Sequence, residues 1–313
     1  MINLVIIGNG NLGKACKLQI LNRQNEFNLV GIFSRRESDE TFSYNDIKNY
    51  LNDIDVALFC GGSSSDAPVM VPELNKMGFS TVDSYDNHGE IKNQNYINLV
   101  KKETDKSGTT AIIGAGWDPG YLSLQRIYNK AIMPNGIHNT FYGGKNGGMS
   151  MGHSNAVKKI PGVIAAHQIT KPRADMQALA MNGKEVSKND RHLRICYVVA
   201  ESGKEKQIED QLRNIEGYFK DQLVEVHFIN MDVFEKNFSN ALGHGGQIIS
   251  ADNNARINLE LEMNSNPVFT ANAMIAFGKA NYRMRQKGLK GTFTIDEVAP
   301  AFLVDDDVRL SEI

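Results

Sequence analysis

The chain has 313 residues, and its 34 Lys and Arg stand against 36 Asp and Glu for a formal charge of -2, so no cationic excess is available for nucleic acid or anionic lipid. Hydrophobic residues at 41% and charged residues at 22% fit a soluble globular chain of about two domains and exclude disordered and fibrous classes. No apolar run approaches the roughly 20 residues that cross a bilayer, and the opening from Met1 to Gly8 lacks a basic region and a cleavage site, so the expected location is the cytoplasm, away from membranes. Cys16, Cys60 and Cys196 are odd in number and widely spaced, which predicts reduced thiols and no disulfide or cysteine-zinc framework.

Residues 2 to 7 form a short β-branched apolar run, and Gly8-Asn9-Gly10-Asn11-Leu12-Gly13 follows at once. Beyond it, Leu12, Ala15, Cys16 and Ile20 share one side of a 3.6-residue repeat. A G-x-G-x-x-G between a strand and a helix is the dinucleotide-binding arrangement. Gly8 makes the tight turn, Gly10 lets the backbone approach the pyrophosphate, Gly13 allows close helix packing, and the helix N-terminus favours negative charge.

A second strand over 28–33 runs into Ser34-Arg35-Arg36, where an NAD enzyme carries an acidic residue for the ribose 2′-hydroxyl. A hydroxyl and two guanidiniums suit a phosphate dianion instead, so the predicted cofactor is NADP(H). A third strand over 55–60 ends at Cys60 and enters the small-residue loop Gly61-Gly62-Ser63-Ser64-Ser65. A fourth over 80–83 leads to Ser84-Tyr85-Asp86-Asn87-His88, and a fifth over 109–113 to Gly114 through Gly120. This alternation predicts an α/β fold, a Rossmann-type doubly wound parallel sheet.

From residue 137 the pattern changes. A strand over 137–142 opens a stretch with glycines at 143, 144, 147, 148 and 152, then His153 and a helix through 156–160. Strands over 194–199 and 225–229 flank a helical spacing from Glu205 to Asp221. These elements predict a second, open α/β domain with its strands in sequence order. Residues 270–278 read as a helix that returns to the first domain. The expected division is a dinucleotide-binding domain over 1–120 completed by 267–313, and a substrate-binding and dimerisation domain over 121–266.

Several segments are far more specific than the glycine motif: TVDSYDNH at 81–88, GWDPG at 116–120, MGHS at 151–154, IPGV at 160–163, HGG at 244–246, NPVFTA at 266–271 and AFGKA at 276–280. With GNGNLG at 8–13 and LVGIFSRR at 29–36, they resemble the meso-diaminopimelate dehydrogenase family over nearly the whole chain. The resemblance implies NADP-dependent oxidative deamination of the D-centre of meso-2,6-diaminopimelate, and a homodimer. It implies that Asp86, Asp118, Met151 and Gly152 surround the reacting D-end, while Thr170, Arg194, His244 and Asn266 hold the distal L-end. Well-known members carry an aromatic, often Trp, where Tyr142 stands, so stacking area survives and the indole N–H is lost. The cofactor residues implied are Gly8, Gly10, Asn11, Leu12, Gly13, Ser34, Arg35, Arg36, Cys60, Gly61, Gly62, Ser63, Asp86, Asn87, Gly116, Trp117, Asp118, Pro119 and Gly120.

The residue types suit the chemistry on their own terms. A substrate with two zwitterionic ends needs acceptors for ammonium groups and donors for carboxylates, supplied by Asp86 and Asp118 and by Arg194. Carboxylates beside a developing iminium favour it, and a water held by Asp86 or Asp118 is a candidate base. Ordinary readings stand beside these: Asp118 as a turn or cap residue before Pro119, His244 as a loop histidine, Arg194 in a structural ion pair, Tyr142 as core. His153 has no partner at a ligand interval, so no metal is expected. Two alternatives remain open. Another NADP-dependent dehydrogenase or reductase of the same plan would share only the first sixty residues or so, and a non-catalytic NADPH-binding regulator would have no reason to hold the substrate set together.

Overall fold

The computed structural model describes residues 1–36, 38–63, 65–145, 147–238 and 243–313, and for Met151 the backbone alone. In chain order the strands are β1 (Ile2–Ile7), β2 (Phe27–Ser34), β3 (Phe42–Ser43), β4 (Val56–Phe59), β5 (Thr81–Asp83), β6 (Thr110–Ile113), β7 (Ile137–Tyr142), β8 (Gly148–Met149), β9 (Val163–Pro172), β10 (His192–Ala200), β11 (Leu223–Phe228), β12 (His244–Ala251), β13 (Arg256–Met263) and β14 (Gly291–Thr294). The chain forms two compact units, Met1–Leu124 with Pro267–Ile313, and Gln125–Asn266.

The first unit is a seven-stranded sheet in the order β14-β6-β5-β4-β1-β2-β3, parallel throughout. Such a sheet is covered on both faces, which is why β1 is apolar without alternation. Leu4 and Ile6 point into one buried cluster with Cys16, Ile20, Leu58, Met274 and Ile275; Val5 and Ile7 point into the other with Val71, Leu74, Tyr96 and Val100. Chain order reverses between β1 and β4, and the crevice beyond the carboxyl ends of strands at such a switch is where nucleotides bind.

The helix predicted over 270–278 is longer, Asn266–Gln286. It covers one face of the sheet, and Asn281 Nδ2 donates to the carbonyls of Thr81 and Thr110, each at 3.0 Å. The strand β14 that follows was not evident from its four-residue sequence.

The second unit differs from the expected open sheet. It contains two sheets, β11-β10-β9-β8 and β13-β12-β7. The first keeps its strands in chain order; among the described residues β10 and β11 pair in parallel and the other pairings are antiparallel. The physical reason is connection length: β12 and β13 are joined by a tight turn at Asp252–Ala255, which only an antiparallel hairpin allows. The helix expected over 205–221 stops at Arg213. Asn214 caps it, and the chain then turns back, with Gly217 in the left-handed region, so that Phe219 is buried.

Candidate active site

The glycine loop holds its parts within close tolerance. Gly8 has φ +109°, and a Cβ on it would stand 2.9 Å from the Cys60 carbonyl oxygen. A Cβ on Gly13 would meet the Gly8 carbonyl oxygen at 2.0 Å, so the helix Asn11–Leu21 can approach the turn only as glycine. Gly10 faces open space, with no described atom beyond its chain neighbours within 4 Å of where its Cβ would be, and no described side chain caps the helix start. That leaves room and unsatisfied N–H groups for a pyrophosphate.

A cavity of about 570 Å³ runs from this loop past Ser34, Arg35, Arg36, Cys60, Gly61 and Gly62. It also contains Asp66, which the sequence reading missed. Asp66 Oδ2 accepts from Arg35 Nη2 at 2.7 Å and from the Gly62 N–H at 3.1 Å. Burial opposes its ionisation, but the Gly62 and Arg35 bonds outweigh it and hold the carboxyl below its usual range. Arg35 is thus a paired guanidinium, while Ser34 Oγ accepts from the Arg36 N–H at 3.1 Å and fixes the turn. Cys60 and Cys16 are buried thiols whose sulfurs lie 3.6 Å apart, and Cys196 is a buried thiol as well. Ser64 lies outside the described residues.

Asp86 follows β5 on an exposed loop. Ser63 Oγ donates to its Oδ1 at 2.5 Å and accepts its main-chain N–H at 3.0 Å, so a residue expected at the cofactor also holds an expected catalytic carboxylate. Asn87 Oδ1 accepts the Glu90 N–H at 3.2 Å and starts the short helix His88–Lys92. Asp118 lies half-buried before a cis Pro119 in the loop Gly116–Gly120. This loop closes on itself: a Cβ on Gly120, at φ +137°, would stand 1.7 Å from the Gly116 carbonyl oxygen. Ser123 Oγ donates to Asp118 Oδ1 at 3.2 Å. Asp118 thus sits in a turn that Ser123 braces.

The second unit gathers Thr170, Arg194 and a group of histidines. Arg194 and Thr170 are directly opposite on β10 and β9. Arg194 Nη1 donates to Thr170 Oγ1 at 2.6 Å and Nε to Gln222 Oε1 at 2.7 Å, while Thr170 Oγ1 donates to Gln168 Oε1 at 3.2 Å. Arg194 is only 8% exposed. No ion pair to it occurs among the described residues, contrary to the structural reading of Arg194. Burial lowers its pKa to about 10, which still leaves it charged at neutral pH.

The histidines adapt to that charge. Burial, with Arg194 next, lowers His153 and His192 to about 3, so both are neutral beside it; burial also lowers His244, against the raising effect of its Gly245 bond and with a smaller lowering from Arg194. His192 Nε2 accepts the Tyr142 N–H at 2.7 Å, and the two rings stack with centroids 5.9 Å apart. His153 Nδ1 lies 2.8 Å from Ser150 Oγ, and His244 Nδ1 accepts the Gly245 N–H at 2.7 Å. Gly152 is exposed one residue into the helix Met151–Lys158; the Met151 side chain lies outside what is described. Asn266 begins the long helix at the last residue of the second unit. Gln222, Gln168 and His192 were missed, although polar residues at 192 and 194 on the buried face of a strand were the available signal.

A parallel sheet with its nucleotide loop at the switch point is the frame of a Rossmann-type dinucleotide-binding protein, and a separate unit holds an arginine with no ion pair among the described residues. Residues 116–265 match the family described as diaminopimelic acid dehydrogenase C-terminal domain. Meso-diaminopimelate D-dehydrogenase of Acetivibrio thermocellus is 37% identical over 96% of this chain and 94% of its own. That of Corynebacterium glutamicum is 35% identical over 98% and 97%. The solved C. glutamicum DAP dehydrogenase in complex with DAP superposes with a TM-score of 0.89, covering 100% of this chain and 99% of the other at 35% identity. An engineered D-amino acid dehydrogenase bound to NADP+ gives 0.84, with 99% and 98% covered at 34% identity. The chain belongs to the meso-diaminopimelate D-dehydrogenase family.

Proposed function

We propose that this protein catalyses the NADP-dependent, reversible oxidative deamination of meso-2,6-diaminopimelate at its D-centre, giving L-2-amino-6-oxopimelate and ammonia. The observation that carries the reading is Arg194, a buried cation that is held in place by Thr170 and Gln222 and has no ion pair among the described residues. A buried charge without a partner is costly, and a substrate carboxylate supplies the partner. The full-length relationship to enzymes of this name, one of them solved with DAP and a related engineered enzyme with NADP+, supports the same reading.

In this reading Gly8, Gly10, Asn11, Leu12 and Gly13 cradle the pyrophosphate, and Ser34, Arg35 and Arg36 take the 2′-phosphate. Cys60 to Ser63, Asp86, Asn87 and Gly116 to Gly120 line the remainder of the cofactor site. The nicotinamide, when bound, accepts hydride from the α-carbon. Asp86 and Asp118 hold the reacting ammonium, favour the iminium as its charge develops, and orient the water that adds to it. Met151, Gly152 and Tyr142 shape the reacting end. Thr170, Arg194, His244 and Asn266 bind the distal end, where the neutral histidines leave Arg194 as the cation that meets the carboxylate.

NADPH formation from meso-diaminopimelate and NADP+ tests the proposal. Turnover of D-lysine at an equal kcat/KM, or reduction of a cyclic imine without ammonia exchange, would instead favour another member of the same domain plan. The same reading takes the protein as a cytoplasmic homodimer, which sedimentation of the purified chain and cell fractionation would test.

A further inference from the structure

Strand β5 ends on Asp83, which is 1% exposed. Its Oδ1 accepts the Tyr85 N–H at 2.9 Å and the Gly114 N–H at 3.3 Å, and its main-chain carbonyl accepts the Ala115 N–H at 2.7 Å. Its Oδ2 accepts from Tyr96 Oη at 2.9 Å, and the Tyr96 ring stacks on Tyr85 with centroids 3.8 Å apart. Tyr85 immediately precedes Asp86. Gly114 and Ala115 open the turn that ends in Asp118, where the Gly116 N–H is bonded back to the Gly114 and Pro119 carbonyls. One carboxylate is thus bonded to the root of both loops that carry the assigned reacting-end acids.

We propose, on the basis of the function given above, that Asp83 is a positioning residue for the deamination, setting the register of the Asp86 and Asp118 loops relative to each other. An apolar residue at this place would fill the space but accept nothing from either loop. A carboxylate offers two oxygens with about four acceptor directions, enough for both loops and Tyr96 together. Burial pushes the Asp83 carboxyl up to about 6, so the ion is held at a cost at neutral pH. A costly group is retained where its bonds organise a site. Asp83 touches no substrate in this scheme; it acts through the two loops, and an error of about 1 Å at reacting groups is enough to reduce turnover by about 100-fold.

The test compares wild type, Asp83→Ala and Asp83→Asn, with turnover expressed per NADPH-binding site determined by fluorescence titration. The wild-type rate with meso-diaminopimelate carries the proposed function, and the ratio of variant to wild type carries this inference. Asp83→Ala is expected to lower kcat by at least about tenfold, with NADPH affinity within about threefold of wild type. The isotope effect on kcat for substrate deuterated at the D-centre should rise, because misplacement slows hydride transfer and not cofactor binding. Asp83→Asn keeps an acceptor oxygen for Tyr85 and Gly114 and should restore most of the rate. Should Asp83→Ala not fold, Asp83→Leu takes its place with the same expectation. A kcat for the alanine or leucine variant within twofold of wild type, an unchanged isotope effect, or an Asn variant as impaired as these would overturn the proposal.

Discussion

Arg194→Ala separates substrate recognition from stability in one experiment. The guanidinium is 8% exposed, is fixed by Thr170 and Gln222, and has no anionic partner among the described residues. If the distal carboxylate of meso-diaminopimelate supplies that partner, its loss removes one or two charged hydrogen bonds in a dry site, each about 1.5–3 kcal/mol. Taking about 3–5 kcal/mol for the pair, kcat/KM should fall by roughly two to three and a half decades. D-lysine has no distal carboxylate and should lose well under about tenfold. Burial, which lowers the pKa of Arg194, makes its charge costly to the fold before substrate arrives, and this offsets part of the cavity and the two lost bonds that alanine leaves, so the variant should melt within a few degrees of wild type. Initial rates of NADPH formation with both substrates, alongside thermal melts, give all these quantities. Equal fractional losses for meso-diaminopimelate and D-lysine would place Arg194 outside substrate recognition, and a larger fall in Tm would mean that its bonds serve the fold.

Other expectations concern the first unit. Replacing Arg35 and Arg36 together should weaken NADP+ more than NAD+ by about 1.5–3 kcal/mol, at the low end because Arg35 is 61% exposed and already paired with Asp66; unchanged NADP+ preference in paired KM measurements would refute the phosphate assignment. Asp118→Asn and Asp86→Asn should each reduce kcat by about 10²–10³ with NADPH titration unchanged, and a variant of normal turnover would give that carboxylate a structural role, such as its bond to Ser123 or Ser63. Asp83→Asn should also alter the pH dependence of stability. The folded carboxyl binds its proton more tightly than the usual 3.8, at about 6, so wild-type stability on this account is greatest below pH 3.8 and is lost as pH rises through 6. The Asn variant avoids that loss and should gain up to about 3 kcal/mol over wild type at pH 8, shrinking to nothing near pH 4; denaturant melts at the two pH values would show it, and a constant difference would contradict it.

What could be read in the sequence depended on whether a residue's role is local. The glycine loop, β1, β2 and the strand-to-loop transitions at Cys60 and Asp83 announce themselves because turn geometry and a twice-buried parallel strand impose composition on a few consecutive residues. Ser34-Arg35-Arg36 was legible as charge in the right place, but the pairing of Arg35 with Asp66, 31 residues further on, has no local signature. The antiparallel pairing of the second unit was not legible, since strand direction depends on connections and not on the strands themselves. Arg194 and Thr170 were found through resemblance; their supports Gln168 and Gln222 were not, because a glutamine acting on a neighbouring side chain resembles any polar surface residue. Asp83 was passed over for the same reason, as the last letter of an apolar strand.

The interrupted first unit sets an order of events during synthesis. Residues 1–124 emerge first, yet one face of their sheet, with Leu4, Ile6 and Leu58, is covered by Ala271, Met274 and Ile275 from the helix Asn266–Gln286, and the seventh strand is Gly291–Thr294. The unit over 125–266 is continuous in sequence and can close as soon as it has left the ribosome. The earlier-made portion must wait, at about 5–20 residues per second, for more than 140 intervening residues before its apolar face is covered. Nascent chains stalled just after Asn266 has cleared the ribosome, and before Gly291–Thr294 has, should therefore present a folded later unit attached to an earlier one that is still sensitive to protease and receptive to chaperones.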